Sequence, residues 1–325
     1  MHAIEVSQTG GPEVLNYTEV PRPEAGPGEV LIKAEAIGVN FIDTYFRTGQ
    51  YPRPLPFVLG SEICGTVVAV GPDADSTVAV GDRVVSAAAN GGYAEFCTAP
   101  AFLTSEVPDG VSSEVAASAL LKGLTAHYLL TSVFPVQAGH SVLVHAGAGG
   151  VGLILTQWAT HLGARVITTV STLEKERLSR QAGAAEVLPY PDDAERFGQR
   201  VHELTDGAGV DAVYDGVGAT TFDASLASLA VRGTLALFGA ASGPVPPFDP
   251  QRLNAAGSVY LTRPSLAHFT RTAQEFSWRA NELFGVIASG AVQVAVGGSY
   301  PLAEAARAHA DLEGRQTTGS IVLVP

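Results

Sequence analysis

The sequence predicts a two-domain α/β protein, a barrel-like β domain joined to a doubly wound parallel sheet of six strands. Three observations predict it. The first 118 residues read as short, β-branched, alternating runs broken by Gly and Pro. From Ser141 the rhythm changes to strand, helix, strand. At 325 residues the chain is also too long for one ordinary core and fits two domains of typical size.

In the first block the strand-length runs are 29–36, 64–70, 82–86 and 93–98. Six apolar runs mark the second block, at 141–146, 165–170, 186–188, 211–214, 234–238 and 258–261. Helical patterns separate most of them, such as 151–162 ending at Gly163 and 222–230 ending before Gly233. Strands joined by crossover helices are what a doubly wound parallel sheet requires. After Pro264 come a long helical pattern (266–289), a strand around 293–300, a helix over 304–313 and a strand at 320–324. These pieces are expected to return to the first domain, giving one domain from 1–118 with 264–325 and another from 119–263, with a cleft between them.

Composition excludes several classes. The chain is 46% hydrophobic and 16% charged, enough apolar surface for packed cores and against extensive disorder. Its 36 glycines and 20 prolines are scattered, not periodic, so they read as turns. The net charge of −13 opposes binding to nucleic acid, which relies on Lys and Arg neutralising phosphates. The longest apolar stretches fall short of the roughly 18–20 residues of a membrane span. Residues 1–11 lack the basic segment and apolar run of a secretory leader. With Cys64 and Cys97 alone, neither a disulfide framework nor a multi-cysteine zinc site can be built, so a reducing cytoplasm is expected.

The first strand of the second block runs into Gly147-Ala148-Gly149-Gly150-Val151-Gly152 and then a helix. Gly147, Gly149 and Gly152 fit the dinucleotide fingerprint G-x-G-x-x-G, and the strand before, the helix after and five strands downstream supply the context it needs. The helix N-terminus would face the pyrophosphate with free N–H groups. An NAD-specific site usually places Asp or Glu at the end of the second strand. Here that strand ends Val170-Ser171-Thr172, with Lys175 close behind, which suits a 2′-phosphate and points to NADPH. The alternative is that Lys175 and Arg177 are solvated helix charges, and Glu174 could point either way. The other strand ends carry Asp215-Gly216, Phe238-Gly239-Ala240 and Thr262-Arg263, small residues that leave room for a dinucleotide or that serve ordinary turns.

With that loop in place, the chain resembles the quinone oxidoreductases of the medium-chain dehydrogenase/reductase superfamily, the group that includes zeta-crystallin. The resemblance spans essentially the whole length. It is carried by Gly10-Gly11-Pro12-Glu13-Val14-Leu15, Gly38-Val39-Asn40-Phe41-Ile42-Asp43, Gly60-Ser61-Glu62, Val80-Gly81-Asp82-Arg83-Val84, Leu121-Lys122-Gly123-Leu124-Thr125, the glycine loop and Thr262-Arg263-Pro264-Ser265. It implies a GroES-like β domain beside a Rossmann domain, a homodimer formed by pairing the last edge strands near 258–261, and reduction of a quinone by NADPH. Zinc alcohol dehydrogenases of the superfamily use Cys, His and Cys at places that look like Asn40, Ser61 and Lys122 here. Asn, Ser and a protonated Lys cannot hold zinc, so a metal-free enzyme is expected. Without that Lewis acid, alcohol oxidation is poorly supported, whereas an electron-poor quinone accepts hydride unaided.

The resemblance also implies cofactor contacts. Asn40, Lys122 and Thr125 match the nicotinamide end, and Ser171, Thr172, Lys175 and Tyr190 the adenosine phosphate. Ala148, Gly150 and Val151 belong to the loop; Gly216, Phe238, Gly239, Ala240, Thr262 and Arg263 fall at the strand ends, and Arg315 matches a C-terminal contact. At Ala240-Ala241 some relatives carry polar side chains. Tyr45 and Tyr51 flank the Asn40 segment and either line the acceptor pocket, stacking or donating a proton, or simply pack. Lys122 is a cofactor contact or an ion-pair partner of Glu62. His145 and Cys64 read as buried packing residues, and Asp215 as a backbone acceptor. Two further functions stay open, reduction of α,β-unsaturated aldehydes or ketones and non-catalytic binding of NADPH.

Overall fold

Alternation between buried and exposed positions organises the start of the chain. Strands β1 (His2–Val6) and β2 (Leu15–Glu19) pair antiparallel. The long strand β3 (Glu29–Val39) ends at Asn40, which opens helix α1 (Phe41–Thr48). The short β4 (Phe57–Val58) then joins β1. Next come β5 (Glu62–Val70), β6 (Arg83–Ser86), β7 (Phe96–Pro100) and β8 (Thr104–Glu106). Strand β3 pairs antiparallel with both β5 and β7, and the sheet continues from β5 to β6 and β8. Val30, Ile32, Ile37, Ile63, Val67 and Val84 stand fully buried along these strands. Each such side chain stabilises the fold by about 1.5–3 kcal/mol. Cys64 on β5 and Cys97 on β7 are buried too, and burial pushes both thiols up to about 12.

Helix α2 (Ser113–Tyr128) ends in a single π-turn over Leu129–Val133. Strands and helices then alternate: β9 (Ser141–Val144), α3 (Gly150–His161), β10 (Arg165–Val170), α4 (Leu173–Gln181), β11 (Glu186–Pro189) and α5 (Ala194–Leu204). They continue through β12 (Val210–Asp215), α6 (Phe222–Ser228), β13 (Leu229–Leu237), α7 (Gln251–Ala255) and β14 (Tyr260–Thr262). The six strands form one parallel sheet in the order β11-β10-β9-β12-β13-β14. The chain walks outward from β9 in one direction and returns at β12 to walk the other way, so the switch point lies between those two strands. Leu143, Ile167, Val213 and Leu235 fill the centre of its core.

The end of the chain supplies α8 (Ala273–Ala288), β15 (Val296–Pro301), α9 (Ala305–Glu313) and β16 (Ser320–Val324). Strand β16 lies antiparallel to β3 and parallel to β15, so the C-terminus completes the sheet that β3 began. The computed structural model describes residues 1–74 and 78–325. Two compact units result: Met1–Leu124, Thr270–Gly285 and Val294–Pro325 in the first, Thr125–Phe269 and Val286–Gln293 in the second. Both the expected limit at residue 118 and the division at Leu124 fall inside α2.

Two expectations change. The helical pattern at 266–289 breaks into a 3-10 turn (Leu266–His268) and α8, because the Thr272 hydroxyl accepts from the Glu275 N–H and caps the helix start at Ala273. The helix expected at 222–230 stops at Ser228, and β13 begins five residues before Thr234. Arg232 there takes a left-handed φ of 63°, and the pairing register shifts between Val210 and Ala212. Among the described residues no helix is long and apolar enough to cross a membrane.

Candidate active site

In the second unit, the loop after β9 shows why its residues must be glycine. A Cβ on Gly147 would lie 2.5 Å from the Cβ of Thr168 on β10, and one on Gly152 would lie 2.2 Å from the Ala146 carbonyl oxygen. A Cβ on Gly149 would meet nothing nearer than that same oxygen at 3.2 Å. The first and third glycines are therefore required by packing. The second is less tightly enclosed, its Cβ position pressing only on that backbone oxygen, and it is the middle glycine of the dinucleotide fingerprint. Ala146 takes φ 55°, its carbonyl accepts from the Gly149 N–H, and α3 begins at Gly150 with Val151 in its first turn. The loop thus delivers the helix N-terminus to the carboxyl edge of the sheet at the switch point. Ala148 is buried beneath it.

The other second-unit candidates gather on that same edge. Ser171 and Thr172 follow β10, and the Thr172 hydroxyl accepts from the Lys175 N–H to cap α4. Tyr190 follows β11, Gly216 follows β12, and Phe238, Gly239 and Ala240 follow β13. Thr262 ends β14, with Arg263 next and exposed. Because the strands are parallel, every one of these positions stands at the same end of the sheet. A Cβ on Gly216 would strike the Phe238 ring at 2.8 Å, and one on Gly239 would strike the Gly216 carbonyl at 2.4 Å, so the ends of β12 and β13 pack directly on each other. Asp215 is fully engaged: Oδ1 accepts from the N–H groups of Val217 and Gly218, Oδ2 from the Ser225 hydroxyl, and both from Thr221. His145 is held by Thr169 and Ser225, and burial lowers its pKa, so it is a neutral packing residue. Thr125, near the C-terminal end of α2, is buried.

The first unit builds a different constellation. Asn40 at the end of β3, Glu62 at the start of β5 and Lys122 on α2 meet in a buried corner. Glu62 is inaccessible; its Oε1 accepts from the Leu121 N–H at 2.8 Å and its Oε2 from Asn40 Nδ2 at 2.8 Å. Lys122 Nζ lies 2.7 Å from Asn40 Oδ1 and 3.4 Å from Glu62 Oε2. The ion pair with Glu62 is thus present. Gly38 makes room for it, since a Cβ there would lie 2.3 Å from Glu62 Oε2 and 2.2 Å from the Ala117 carbonyl. Tyr45 on α1 is buried and meets the half-buried Tyr51 edge-on at 5.3 Å. Arg315 is exposed just beyond α9 at φ 56°.

Sequence reasoning passed over the groups behind this corner. The Asn40 N–H donates to Asp43 Oδ2 at 2.9 Å, and the Tyr93 hydroxyl donates to the same oxygen at 3.0 Å. Behind Tyr93 stand His309 and then Arg47, which holds Glu313. The Asn-x-x-Asp spacing at 40–43, a helix-start pattern, was the one available signal; Tyr93 and His309 carry none. Among the described residues no group of three or more His, Cys, Asp or Glu side chains is arranged to hold a metal ion.

Sheet, loop and β unit together define a nucleotide-binding dehydrogenase or reductase. Family models agree, matching an alcohol dehydrogenase GroES-like domain at residues 26–132 and a zinc-binding dehydrogenase at 150–284. The chain is 46% identical to a quinone oxidoreductase of Pseudomonas aeruginosa over 324 residues, 99% of either chain. It is 40% identical to a 2-haloacrylate reductase of a Burkholderia species, over 99% of this chain and 98% of that protein. A mycobacterial protein solved in complex with NADPH superimposes on all of both chains with a TM-score of 0.99 at 76% identity. The chain belongs to the quinone oxidoreductases of the medium-chain dehydrogenase/reductase superfamily.

Proposed function

We propose that this chain is a zinc-independent reductase that carries a hydride from NADPH to a quinone. The observation that carries the reading is the loop after β9, whose first and third glycines are required by close packing and which delivers a helix N-terminus to the switch point of a parallel sheet. Relatives support it: one is named a quinone oxidoreductase, and another was solved with NADPH.

The dinucleotide phosphates fit against Gly147–Gly152 and the first turn of α3. No carboxylate stands at the end of β10, where Ser171 and Thr172 with Lys175 offer hydroxyls and a cation to a 2′-phosphate. Tyr190 joins that end, and Arg315 is assigned a C-terminal contact to the cofactor. Thr125, Gly216, Phe238, Gly239, Ala240, Thr262 and Arg263 take the rest of the dinucleotide. Bound there, NADPH supplies the hydride, and the balance is NADPH, a proton and a quinone giving NADP⁺ and a hydroquinone. We assign Asn40 and Lys122 to the reacting end as its polar groups, and Tyr45 and Tyr51 to the acceptor as aromatic edges.

Zinc does not fit this corner. The Lys122 ammonium has no lone pair, it occupies the Asn40 amide oxygen, and Ser61 is the third position. The two buried free thiols suit a reducing cytoplasm. The half-bare edge strand β14, with Tyr260 64% exposed, supports a homodimer paired across that edge.

A second reading, hydride delivery to the β-carbon of a conjugated carbonyl, is favoured by the 2-haloacrylate reductase relative. Following NADPH absorbance with 1,4-benzoquinone, with a short 2-alkenal, and then with NADH in place of NADPH separates them. Fast loss with the quinone and NADPH is expected. A strong preference for the alkenal replaces the acceptor. Loss with neither leaves a protein that binds NADPH without turnover.

A further inference from the structure

One chain of hydrogen bonds runs through the first unit from the Asn40 turn to the last helix. Asp43 Oδ2 accepts from the Asn40 N–H at 2.9 Å and from the Tyr93 hydroxyl at 3.0 Å. The Tyr93 oxygen lies 3.0 Å from His309 Nε2, and His309 Nδ1 lies 3.0 Å from Arg47 Nη1. Arg47 grips both carboxylate oxygens of Glu313 at 2.8 and 2.9 Å. Asp43, Tyr93, Arg47 and His309 are each 1% exposed or less. Only one proton arrangement satisfies the chain. A guanidinium only donates, so Nδ1 of His309 accepts; its Nε2–H then donates to the Tyr93 oxygen, leaving the Tyr93 proton for Asp43. Burial lowers the His309 pKa to about 3, in keeping with that neutral ring.

A bland purpose would be to tie α1 to α9, which apolar packing could do without burying polar groups. Instead the chain terminates on the backbone N–H of the residue whose amide oxygen holds Lys122. We propose that Tyr93 and His309 are positioning residues that act through Asp43 to fix the Asn40 turn and, with it, the Asn40–Lys122–Glu62 corner. This rests on the reading of that corner as the reacting end of the site.

The groups that face Asp43 are the Asn40 N–H, Tyr93, Lys122 and Glu62, with Arg47 and His309 behind Tyr93. Burial raises the Asp43 carboxyl to about 7, and the Tyr93 hydroxyl opposes that rise. An ionised Asp43 is the stronger acceptor for the Asn40 N–H. Loss of the hydroxyl therefore moves the ionisation to higher pH.

Tyr93→Phe removes that hydroxyl alone and keeps the ring that meets His309 edge-on at 5.7 Å. Expected are an NADPH Kd within about twofold of wild type, kcat/KM for 1,4-benzoquinone lower by about tenfold at pH 7, and an acidic limb of the kcat/KM profile moved to higher pH. Should Tyr93→Phe fail to fold, the His309 pair tests the same link. His309→Gln keeps one donor and one acceptor and retains the wild-type limb, whereas His309→Leu loses both and shifts it. A carboxyl-carbon NMR titration of Asp43 in the cofactor-free protein reads the same shift without turnover. A limb and an Asp43 titration that stay in place in Tyr93→Phe and His309→Leu overturn the proposal while leaving quinone reduction standing. A titration that moves as expected in the variants, beside a wild-type protein that transfers hydride from NADPH to none of the acceptors offered, overturns the quinone reading instead.

Discussion

Gly149 and Gly152 stand three residues apart in one loop, and a methyl group has different consequences at each. On Gly152 it would meet the Ala146 carbonyl at 2.2 Å, so the loop must move; Gly152→Ala is expected to lose about 2–4 kcal/mol in urea unfolding and to bind NADPH poorly. On Gly149 the nearest atom is 3.2 Å away, so Gly149→Ala keeps most of its stability. It should still lose NADPH affinity by an order of magnitude if, as proposed, the pyrophosphate approaches the backbone at this middle glycine of the fingerprint. Equal stability losses in the two variants, measured beside equilibrium binding, would contradict this division of roles. The buried corner gives a second residue-level expectation. Lys122→Met leaves the inaccessible Glu62 carboxylate without its cation and is expected to destabilise by roughly 3–5 kcal/mol. Adding Glu62→Gln should recover part of that loss, and a strictly additive pair would show that the two side chains do not interact.

Helices α1 and α9 are joined by two titratable groups whose pH effects oppose each other. Asp43 rises from its ordinary 3.8 to about 7, so between those values the unfolded chain ionises while the folded protein keeps its proton. Stability through Asp43 therefore falls as pH rises across that window. His309 drops from 6.5 to about 3, so below 6.5 the unfolded chain takes up a proton that the folded protein refuses. Stability through His309 therefore rises with pH across that window. Each shift corresponds to roughly 4–5 kcal/mol, and between pH 4 and 6.5 the two nearly cancel. Urea midpoints measured across this range should rise with pH in Asp43→Asn, fall with pH in His309→Gln, and change least in the wild type. Parallel slopes in the two variants would refute the opposition.

At the scale of the whole molecule, the sheet edge and the cofactor set the expected behaviour. Strand β14 pairs with β13 on one side only and exposes Tyr260. Two copies paired there should sediment at twice the 33.5 kDa of one chain, and Tyr260→Asp, which sets like charges across the two-fold axis, should yield monomers. A wild-type protein that sediments as a single 33.5 kDa species would sink the dimer. A ligand that binds only the folded protein stabilises it by about 2.7 kcal/mol at 100 times its Kd. NADPH at that excess should raise the thermal midpoint by several degrees, and NADH at equal concentration by less, since it lacks the 2′-phosphate proposed to meet Ser171 and Lys175.

Local pattern determined much of this protein. Six parallel strands followed from apolar runs spaced by helical ones, because burial on both faces of a sheet demands continuous apolar residues. The tight loop after β9 followed from three glycines, whose spacing reflects contacts made within a few residues and with the adjoining strand. Where polar residues compete for the backbone, as Thr272 does at the start of α8, the periodicity ran on past the true helix boundary. Only the tertiary structure decided what stands behind Asn40. Tyr93 reaches Asp43 across 50 positions of sequence, His309 reaches Tyr93 across 216 and Arg47 reaches His309 across 262. A side chain's burial, its partners and the proton it holds depend on what the fold brings against it, and no short-range pattern in the sequence carries that information.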